Sequence, residues 1–485
     1  MSHAMTLPPQ QALIGGQWVN TAATMQVEAP ATGEPLARIA RCQAEEVDAA
    51  VQAARQAFAG QLGEWASWSA RQRSEWLLRF ADVIEAHQEQ LAQLECADTG
   101  KPMTQAKGDI SACARYFRFY GGAADKLHGE TIPFENDFAV MTLREPYGVC
   151  AQIIPWNYPA QIFGRCVAAA LAAGNTIVLK PAEDACLSVL CLAELAVNHS
   201  LPAGALNVVP GFGYEAGASL AAHPQIDHLS FTGSPETGTQ VAQAAAQHHV
   251  PVTLELGGKS PQLVFADADL DAALPAVVRG IIQNAGQTCS AGSRLLVQRD
   301  IAESVVAHLC ERFAALRCDA GEADASCGPL INARQKAKLE ARLAAAEADG
   351  ICVAARGQLA SSAPVGGHFV LPQLLTDIPD GHEVLKEELF GPVLVVQVFE
   401  DEAEALALAN ATDFGLCAGI WTRDGGRQLR LAKGIRSGQV FINNYGAAGG
   451  VELPFGGVGR SGHGREKGFE GLRSYTRIKT IAIKH

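Results

Sequence analysis

Residues 206–248 read LNVVPGFGYEAGASLAAHPQIDHLSFTGSPETGTQVAQAAAQH and alternate twice between a strand pattern and a helix pattern. The β-branched runs at 206–210 and 226–232 predict strands, and the segments 214–222 and 235–248 predict helices. Strands that alternate with helices form parallel sheets covered on both faces, and ligands bind such sheets beyond the carboxyl ends of the strands. This stretch therefore predicts an organisation typical of nucleotide binding.

The alternation continues on both sides of this stretch. Toward the N-terminus, segments with helical spacing at 45–58, 71–87 and 187–198 accompany a β-branched run at 176–179. Beyond Glu255 we expect a second α/β region that extends to about residue 443, and the length of 485 residues allows two to four domains. Strands of this region are expected near residues 260–265, 293–298, 393–399 and 438–442.

Two further segments alternate like exposed strands but lie outside the α/β pattern. They are FAVMTLR at 138–144 and SYTRIKTIAIK at 474–484. The pattern alone allows two interpretations, an arm or sheet completed by another subunit, or two surface strands of one domain.

Composition excludes several classes of protein. Hydrophobic residues make up 48% and the net charge is −13, so a disordered chain is excluded and no general attraction to nucleic acid or anionic lipid is expected. The thirteen cysteines form no C-x-x-C pair, and the histidines show no ligand spacing, so neither a disulfide framework nor a metal site is expected. The segment 166–179 is too short to cross a bilayer and residues 1–10 do not resemble a secretory signal, so we expect a cytoplasmic protein with no membrane partner.

Two side chains are candidates for covalent and acid–base chemistry. Cys289 lies in NAGQTCSAGSR at 284–294 among small and polar residues, unlike the cysteines in apolar helices and strands. An accessible thiol with a lowered pKa is a nucleophile, and the alternative is an inert buried cysteine. Glu255 lies between leucines at a strand end, where burial would raise its pKa toward the range of a general base. The alternative is a carboxylate that points to water.

Other segments are candidates for binding. Asn157 lies in the stiff segment PWNYP at 155–159, where its amide could donate to an oxyanion, or the segment is simply a rigid turn. Ser234 opens a helix after a strand, which favours a phosphate but also fits an ordinary turn. Lys180 and Glu183 follow a strand end, where a carboxylate can bind ribose hydroxyls, although a solvent-exposed pair fits equally.

Taken together and in order, these segments resemble the NAD(P)-dependent aldehyde dehydrogenase superfamily. The resemblance extends from IGGQW at 14–18 to the terminal strand, which is nearly the whole chain. The motifs that carry it are PWNYP at 155–159, GNTIVLKP at 174–181, FTGS at 231–234, LELGGK at 254–259, GQTC at 286–289, EELFGP at 387–392 and PFGG at 454–457.

The resemblance implies a fold with a Rossmann-like cofactor domain, an α/β catalytic domain and a small β oligomerisation arm. The cofactor domain would comprise residues 1–123 and 147–254, the catalytic domain 255–455, and the arm 124–146 and 468–485. The arm implies a homodimer or homotetramer.

The resemblance also implies catalytic roles. Cys289 would attack the aldehyde carbon, and Asn157 with the backbone N–H of Cys289 would hold the oxyanion. After hydride transfer leaves a thioester on Cys289, Glu255 would activate the hydrolytic water, and it could also accept the thiol proton. Because relatives that transfer the acyl group to CoA generally lack this glutamate, its presence implies a free carboxylic acid as product.

The expected cofactor is NAD, with NADP weaker. Glu183 and Lys180 would hold the adenosine ribose, and the carboxylate of Glu183 would repel a 2′-phosphate. Ser234 would bind the pyrophosphate and Glu388 the nicotinamide ribose. The complete expected set is Trp156, Lys180, Glu183, Gly213, Ser234, Glu388 and Phe390.

The expected substrate residues are Tyr158, Arg165 and Phe455. An arginine at 165 could bind a substrate carboxylate, as in semialdehyde dehydrogenases, although the second arginine of those enzymes corresponds to Gln283. The alternative for Arg165 is a salt bridge on the helix surface. The loop 445–453 (YGAAGGVEL) suggests a roomy entrance with Glu452 near it. Alternative functions are a semialdehyde dehydrogenase specific for carboxylate-bearing aldehydes and a catalytically silent binding or structural protein of the same fold.

Overall fold

The computed structural model describes residues 6–58 and 63–485, so Met1–Met5, part of the N-terminal segment that does not resemble a secretory signal, lie outside the described residues. The expected α/β class is confirmed. The helices are α1 Ala44–Phe58, α2 Glu64–Ser67, α3 Ala70–Ala86, α4 Gln88–Thr99, α5 Met103–Ala123, α6 Pro159–Ala173, α7 Leu187–Asn198, α8 Ala218–Ala221, α9 Pro235–Ala246, α10 Leu270–Ile282, α11 Arg299–Ala315, α12 Ala333–Ala348, α13 Glu402–Ala409, α14 Gly425–Gly434 and α15 Gly468–Arg473.

The strands fall into two large sheets and several small ones. They are β1 Ala12–Ile14, β2 Gln17–Val19, β3 Thr24–Ala29, β4 Glu34–Ala40, β5 Thr131–Ile132, β6 Phe138–Pro146, β7 Val149–Ile153, β8 Thr176–Lys180, β9 Leu206–Val208, β10 His228–Thr232, β11 Val252–Glu255, β12 Pro261–Val264, β13 Arg294–Gln298, β14 Arg317–Cys318, β15 Cys352–Arg356, β16 Gln358–Leu359, β17 Gln373–Thr376, β18 Val393–Phe399, β19 Phe414–Gly415, β20 Cys417–Trp421, β21 Gln439–Ile442, β22 Val458–Gly459, β23 Gly462–His463 and β24 Thr476–Lys484.

The first large sheet has the order β2-β1-β9-β8-β7-β10-β11-β23 over the described residues. Its central strands β9, β8, β7, β10 and β11 are parallel, whereas β1 and β23 join antiparallel. Along β8 the side chains of Ile177 and Leu179 pack into one hydrophobic cluster and Val178 into another. Because successive side chains of a strand point to opposite faces, both faces of this sheet are covered, as its apolar strands predict.

The second large sheet has the order β15-β17-β18-β13-β12-β20-β21. All neighbouring pairs in it are parallel except β15 with β17. Cys352 begins the edge strand β15 and is exposed.

The segment predicted as a helix at 214–222 is less regular than expected. A π-helical turn occupies Gly213–Gly217, and the α-helix is confined to Ala218–Ala221. Glycine has little intrinsic preference for a regular helix, and here the N–H of Gly217 reaches back to the carbonyl of Phe212.

The two alternating segments outside the large sheets pair with each other. Strands β6 and β24 run antiparallel from Phe138 opposite Lys484 to Pro146 opposite Thr476, and β5 adds a third strand. This sheet exposes the apolar side chains of Ile132, Leu143 and Ile478. Completion of the sheet by another subunit stays a prediction, as do the domain boundaries. No helix in the described ranges is long and apolar enough to cross a membrane.

The fold brings the ends of separate strands together. Ile153 at the end of β7 lies opposite Lys180 at the end of β8, and Thr232 at the end of β10 lies opposite Glu255 at the end of β11. The segment after β7 leads through Asn157 into α6. Residues that are far apart in sequence therefore meet at the carboxyl edge of the first sheet, where ligands bind in such folds.

Candidate active site

A large cleft opens at the carboxyl edge of the first sheet and extends to the second α/β region. It encloses about 1130 Å³. Asn157, Glu255 and Cys289, which lie on three separate segments, all line it. This juxtaposition of an amide, a carboxyl and a thiol can support covalent chemistry in which the thiol is the nucleophile.

The backbone before Cys289 adopts an unusual conformation. Asn284, Ala285 and Gly286 have φ values of 48°, 54° and 72°, in the left-handed region. A Cβ at Gly286 would lie 2.1 Å from the carbonyl oxygen of Gly391, so only glycine fits this approach. The bend leaves Cys289 half-buried in the cleft instead of continuing helix α10.

The pKa of the Cys289 thiol is not lowered in this structure. Burial raises the pKa of this thiol to about 12, and the positive charge of Arg165 offsets only part of that rise. A thiol is hard to ionise where little water solvates the thiolate. Cys289 is thus a neutral thiol in this structure and needs a base to become a nucleophile.

Asn157 is anchored at both its backbone and its side chain. Its side-chain amide donates to the carbonyl of Gln287 at 2.9 Å. Its own carbonyl accepts from the Lys101 ammonium at 3.0 Å and from the amide of Asn284 at 2.9 Å. Because an amide has two N–H groups, one remains to donate to a substrate oxygen in the cleft.

Glu255 lies at the end of β11 and is 1% exposed. Neither carboxyl oxygen has a hydrogen-bond partner among the described residues. Burial and the neighbouring Glu466 raise its pKa well above the usual range, against the opposing charge of Arg165, which confirms the expected direction. A carboxyl group with both oxygens unoccupied can hold a water molecule or accept a proton.

Lys180, Glu183 and Gly213 form one cluster beyond β8. The Lys180 ammonium lies 2.6 Å from the Glu183 carboxylate, which also accepts from the backbone N–H of Gly213 at 3.3 Å. Lys180 outweighs the effect of burial, so the pKa of Glu183 falls below its usual value and the group is ionised near neutral pH. Ser234 is exposed at the start of α9, where its hydroxyl accepts from the N–H of Thr237.

Glu388, Phe390 and Trp156 line the cleft itself. The Glu388 carboxyl accepts from the backbone N–H of Gly258 at 2.9 Å, and burial raises its pKa to about 7. The Phe390 ring meets the Trp156 ring edge-on with centroids 5.4 Å apart. A Cβ at Gly257 would lie 2.2 Å from Glu388.

These residues fit an extended dinucleotide. An exposed helix start at Ser234 suits a pyrophosphate, an ionised carboxylate at Glu183 suits ribose hydroxyls, and the aromatic pair Trp156 and Phe390 offers an apolar wall. A side chain at Gly257 would collide with Glu388, whereas a Cβ at Gly213 would make only an ordinary contact, 3.9 Å from Glu183 Oε1.

Arg165 is neither on the helix surface nor free in the cleft. It is buried on α6, its Nε lies 2.5 Å from a carboxylate oxygen of Glu466, and it donates to the hydroxyl of Thr232 at 3.0 Å. The surface salt bridge considered from the sequence is therefore wrong, because the partner lies 301 residues along the chain and is itself buried. A guanidinium held by Glu466 has less of its charge available to a substrate.

The other expected substrate residues also line the cleft. The Tyr158 hydroxyl shares a hydrogen bond with Thr288 at 2.7 Å, next to Cys289. Phe455 is buried, with the Arg165 guanidinium 5.6 Å from its ring centroid. Gln283 and the loop around Glu452 line the cleft as well, and Glu452 pairs with Arg115 at 2.5 Å.

Sequence reasoning missed three charged residues of this region, Lys101, Glu466 and Lys467. Lys101 is fully buried between Glu95 at 3.0 Å and Asp109 at 2.6 Å, beneath Asn157. The sequence around Lys101 does not indicate that it is buried, because lone charged residues in polar segments usually face solvent. For Glu466 and Lys467, the glycines on both sides in GHGREKG were a usable sign of a close backbone approach.

Comparisons with known proteins agree with this geometry. The model of the aldehyde dehydrogenase family matches residues 18–481. The chain is similar to a provisionally named aldehyde dehydrogenase from Burkholderia cenocepacia, with a TM-score of 0.96, 59% identity and coverage of 98% of this chain and 100% of that chain. It is similar to an aldehyde dehydrogenase from Bacillus cereus solved as an NAD+ complex, with a TM-score of 0.94, 41% identity and coverage of 98% and 96%. Retinal dehydrogenase 2 of Homo sapiens is 40% identical over 478 residues, 97% of this chain and 91% of that protein.

Proposed function

The chain belongs to the aldehyde dehydrogenase family and is an oxidoreductase that acts on aldehydes, and from this we propose that it uses NAD to oxidise an aldehyde to the free carboxylic acid. The observation that carries the proposal is the meeting of Cys289, Asn157 and Glu255 in one cleft. Each of these residues corresponds to one chemical need of the reaction, namely a nucleophile, an oxyanion donor and a base.

In the first step, the Cys289 thiol adds to the aldehyde carbon after losing its proton. Since burial raises the pKa of the thiol, the proton needs an acceptor. Water in the cleft can take it, and so can the Glu255 carboxyl, which has no hydrogen-bond partner among the described residues. The second amide N–H of Asn157, with the backbone N–H of Cys289, donates to the oxygen as it becomes negative. The hydrogen bonds from Lys101 and Asn284 hold the Asn157 backbone in place for this role.

The residues that would hold the cofactor are Trp156, Lys180, Glu183, Gly213, Ser234, Glu388 and Phe390. NAD held by these residues would supply the hydride acceptor, and oxidation of the carbon bound to Cys289 would leave a thioester on that residue. The ionised Glu183 favours ribose hydroxyls over a 2′-phosphate, so NAD is preferred to NADP. The NAD+ complex of the similar Bacillus cereus enzyme supports this choice.

In the last step, water attacks the thioester and releases the acid. Glu255, after passing any thiol proton on to solvent, accepts the proton of that water, and the Cys289 thiolate that leaves takes up a proton in turn. The two unpartnered oxygens of Glu255 leave room for contact with the water, and burial makes this carboxylate a stronger base than an exposed glutamate. A buried base that acts on water supports a free acid as product, in place of transfer to a thiol acceptor. The presence of the complete set of three residues also argues against a catalytically silent protein.

We further propose a homodimer or homotetramer that works in the cytoplasm. The exposed apolar residues Ile132, Leu143 and Ile478 on the small sheet support assembly through that sheet. The absence of disulfides among the described cysteines accords with a reducing compartment.

The experiment is a measurement of NADH formation with aliphatic, aromatic, amino and carboxylate-bearing aldehydes, with NADP run beside NAD. Cys289→Ala is the blank. We expect NADH with at least one class of aldehyde, less reduced cofactor with NADP, and no rate with Cys289→Ala above that of a mixture without enzyme. Activity that survives Cys289→Ala would overturn the mechanism, and the absence of NADH with every aldehyde would overturn the function.

A further inference from the structure

Lys467 places a second positive charge beside Arg165 in the substrate part of the cleft. It is half-buried and lines the cleft together with Cys289 and Phe455. Its ammonium lies 4.9 Å from the centroid of the Phe455 ring, and the Arg165 guanidinium lies 5.6 Å from the same centroid. The ring therefore has cations close to it from two different segments of the chain.

The backbone fixes Lys467 in this position. Its φ and ψ are 60° and 164°, a combination that is found almost only in glycine. The residues on either side are fixed, because Glu466 exchanges two backbone hydrogen bonds with Phe455, at 2.7 and 2.8 Å, and the N–H of Gly468 donates to Val451 at 2.8 Å. Strained residues persist where the surrounding structure holds them, and they cluster at sites that contact ligands.

The charges around the two cations differ. Glu466 forms an ion pair with Arg165 at 2.5 Å, whereas Lys467 forms no ion pair with any residue of the described ranges. Glu255 is the other carboxyl whose charge acts on the Lys467 ammonium, but it forms no ion pair with it. Burial and the charge of Arg165 lower the pKa of the Lys467 ammonium to about 8. An anion beside Lys467 would stabilise its charge.

We propose that Lys467 binds a carboxylate of the substrate, so that the aldehydes oxidised best are carboxylate-bearing. This inference rests on the proposed function and assigns the anion-binding role to Lys467, since Arg165 is held by Glu466. The same cleft holds the Cys289 thiol, where the aldehyde end of such a substrate reacts. A single ammonium with three N–H groups suits one carboxylate, and the apolar face of Phe455 suits the carbon chain between the two ends.

The test compares kcat/KM for acidic and neutral aldehydes of equal chain length, 4-oxobutanoate with butanal and 5-oxopentanoate with pentanal. Lys467→Met removes the charge but keeps an unbranched side chain, and Lys467→Arg restores the charge. Lys433→Met makes the same change at an exposed lysine on α14, outside the cleft. We expect the wild type to prefer the acids. The ratio of acidic to neutral kcat/KM should fall at least tenfold in Lys467→Met, mainly through KM.

The controls distinguish this inference from the proposed function. Lys467→Arg should retain the ratio to within about threefold, and Lys433→Met should leave it unchanged. A wild-type preference for neutral aldehydes, or an unchanged ratio in Lys467→Met, would overturn the carboxylate assignment while NADH formation still supported an aldehyde dehydrogenase. The absence of NADH from every aldehyde would instead overturn the function on which the inference rests.

A measurement on the wild type covers the case in which Lys467→Met does not fold. Succinate, the acid formed from 4-oxobutanoate, should slow the alkylation of Cys289 by iodoacetamide more than butanamide does at the same concentration. Equal protection by the two molecules would contradict carboxylate binding.

Discussion

Replacement of Glu255 by Gln should separate the two halves of the reaction. The substitution keeps the size of the side chain but removes the proton acceptor. Neither oxygen of Glu255 has a partner among the described residues, and the neighbouring Glu466 is occupied by Arg165 and by the hydroxyl of Ser230 at 2.8 Å. Because Glu466 is occupied in this way and cannot act in its place, the full contribution of a general base should be lost.

The loss expected for a general base is about 10²- to 10⁴-fold in kcat. At about 1.36 kcal/mol for each factor of ten, this raises the barrier of hydrolysis by about 2.7–5.4 kcal/mol. The assay is stopped-flow measurement of NADH formation, with enough enzyme that one equivalent of NADH per active site is detected. If Glu255 acts mainly on water, a burst of NADH close to one equivalent per active site should precede a slow steady state.

Two results would refute this reasoning about Glu255→Gln. A steady-state rate within about threefold of the wild type would show that Glu255 is not the base of hydrolysis. If the rate of the burst fell by the same factor as the steady-state rate, the carboxyl would act chiefly on the Cys289 thiol. Circular dichroism of the variant controls for misfolding.

Three further predictions follow from charges in and near the cleft. Glu183→Gln should raise the ratio of kcat/KM for NADP to that for NAD by about tenfold or more, because it removes a carboxylate that repels the 2′-phosphate, and an unchanged ratio would contradict the position given to Glu183. Lys101→Met should lower the free energy of unfolding by about 3–5 kcal/mol in urea titrations, because it leaves Glu95 and Asp109 buried without their cation. A loss below about 1 kcal/mol would contradict the buried ion pairs of Lys101. Burial raises the pKa of the Cys289 thiol to about 12, and the reactive thiolate is its basic form. For this reason kcat/KM should keep rising with pH to about pH 9. A plateau below about pH 7 would contradict a neutral resting thiol.

The sequence predicted the α/β class and the segments that meet in the cleft, because both leave local patterns. Alternating strand and helix periodicities predict parallel sheets, and parallel sheets bring strand ends such as Glu255 and the segment of Asn157 to one edge. The small and polar residues around Cys289 likewise distinguish it locally from the cysteines of apolar segments. The regularity of the helix predicted at 214–222 was overestimated, since the two glycines in Gly213–Gly217 permit a wider turn.

The electrostatic environment could not be predicted in the same way, because it depends on residues distant in sequence. The ion pair of Arg165 with Glu466 joins α6 to a loop near the C-terminus, so no local pattern reveals it. The thiol pKa of Cys289 depends on how deeply the cleft buries it, and the small residues of its segment suggested more exposure than the fold allows. The position of Lys467 likewise depends on the fold, because no sequence pattern shows that this residue lines the cleft.

The central claim is that the reaction passes through a thioester on Cys289, and trapping that species tests it most directly. Glu255→Gln would be mixed with NAD and an aldehyde that gives NADH with the wild type, quenched in acid after the burst, digested, and examined by mass spectrometry. The account predicts that the peptide containing Cys289 gains the mass of the acyl group, in an amount that matches the NADH formed. NADH released in the burst without acylation of that peptide, or with acylation of another cysteine, would contradict the account.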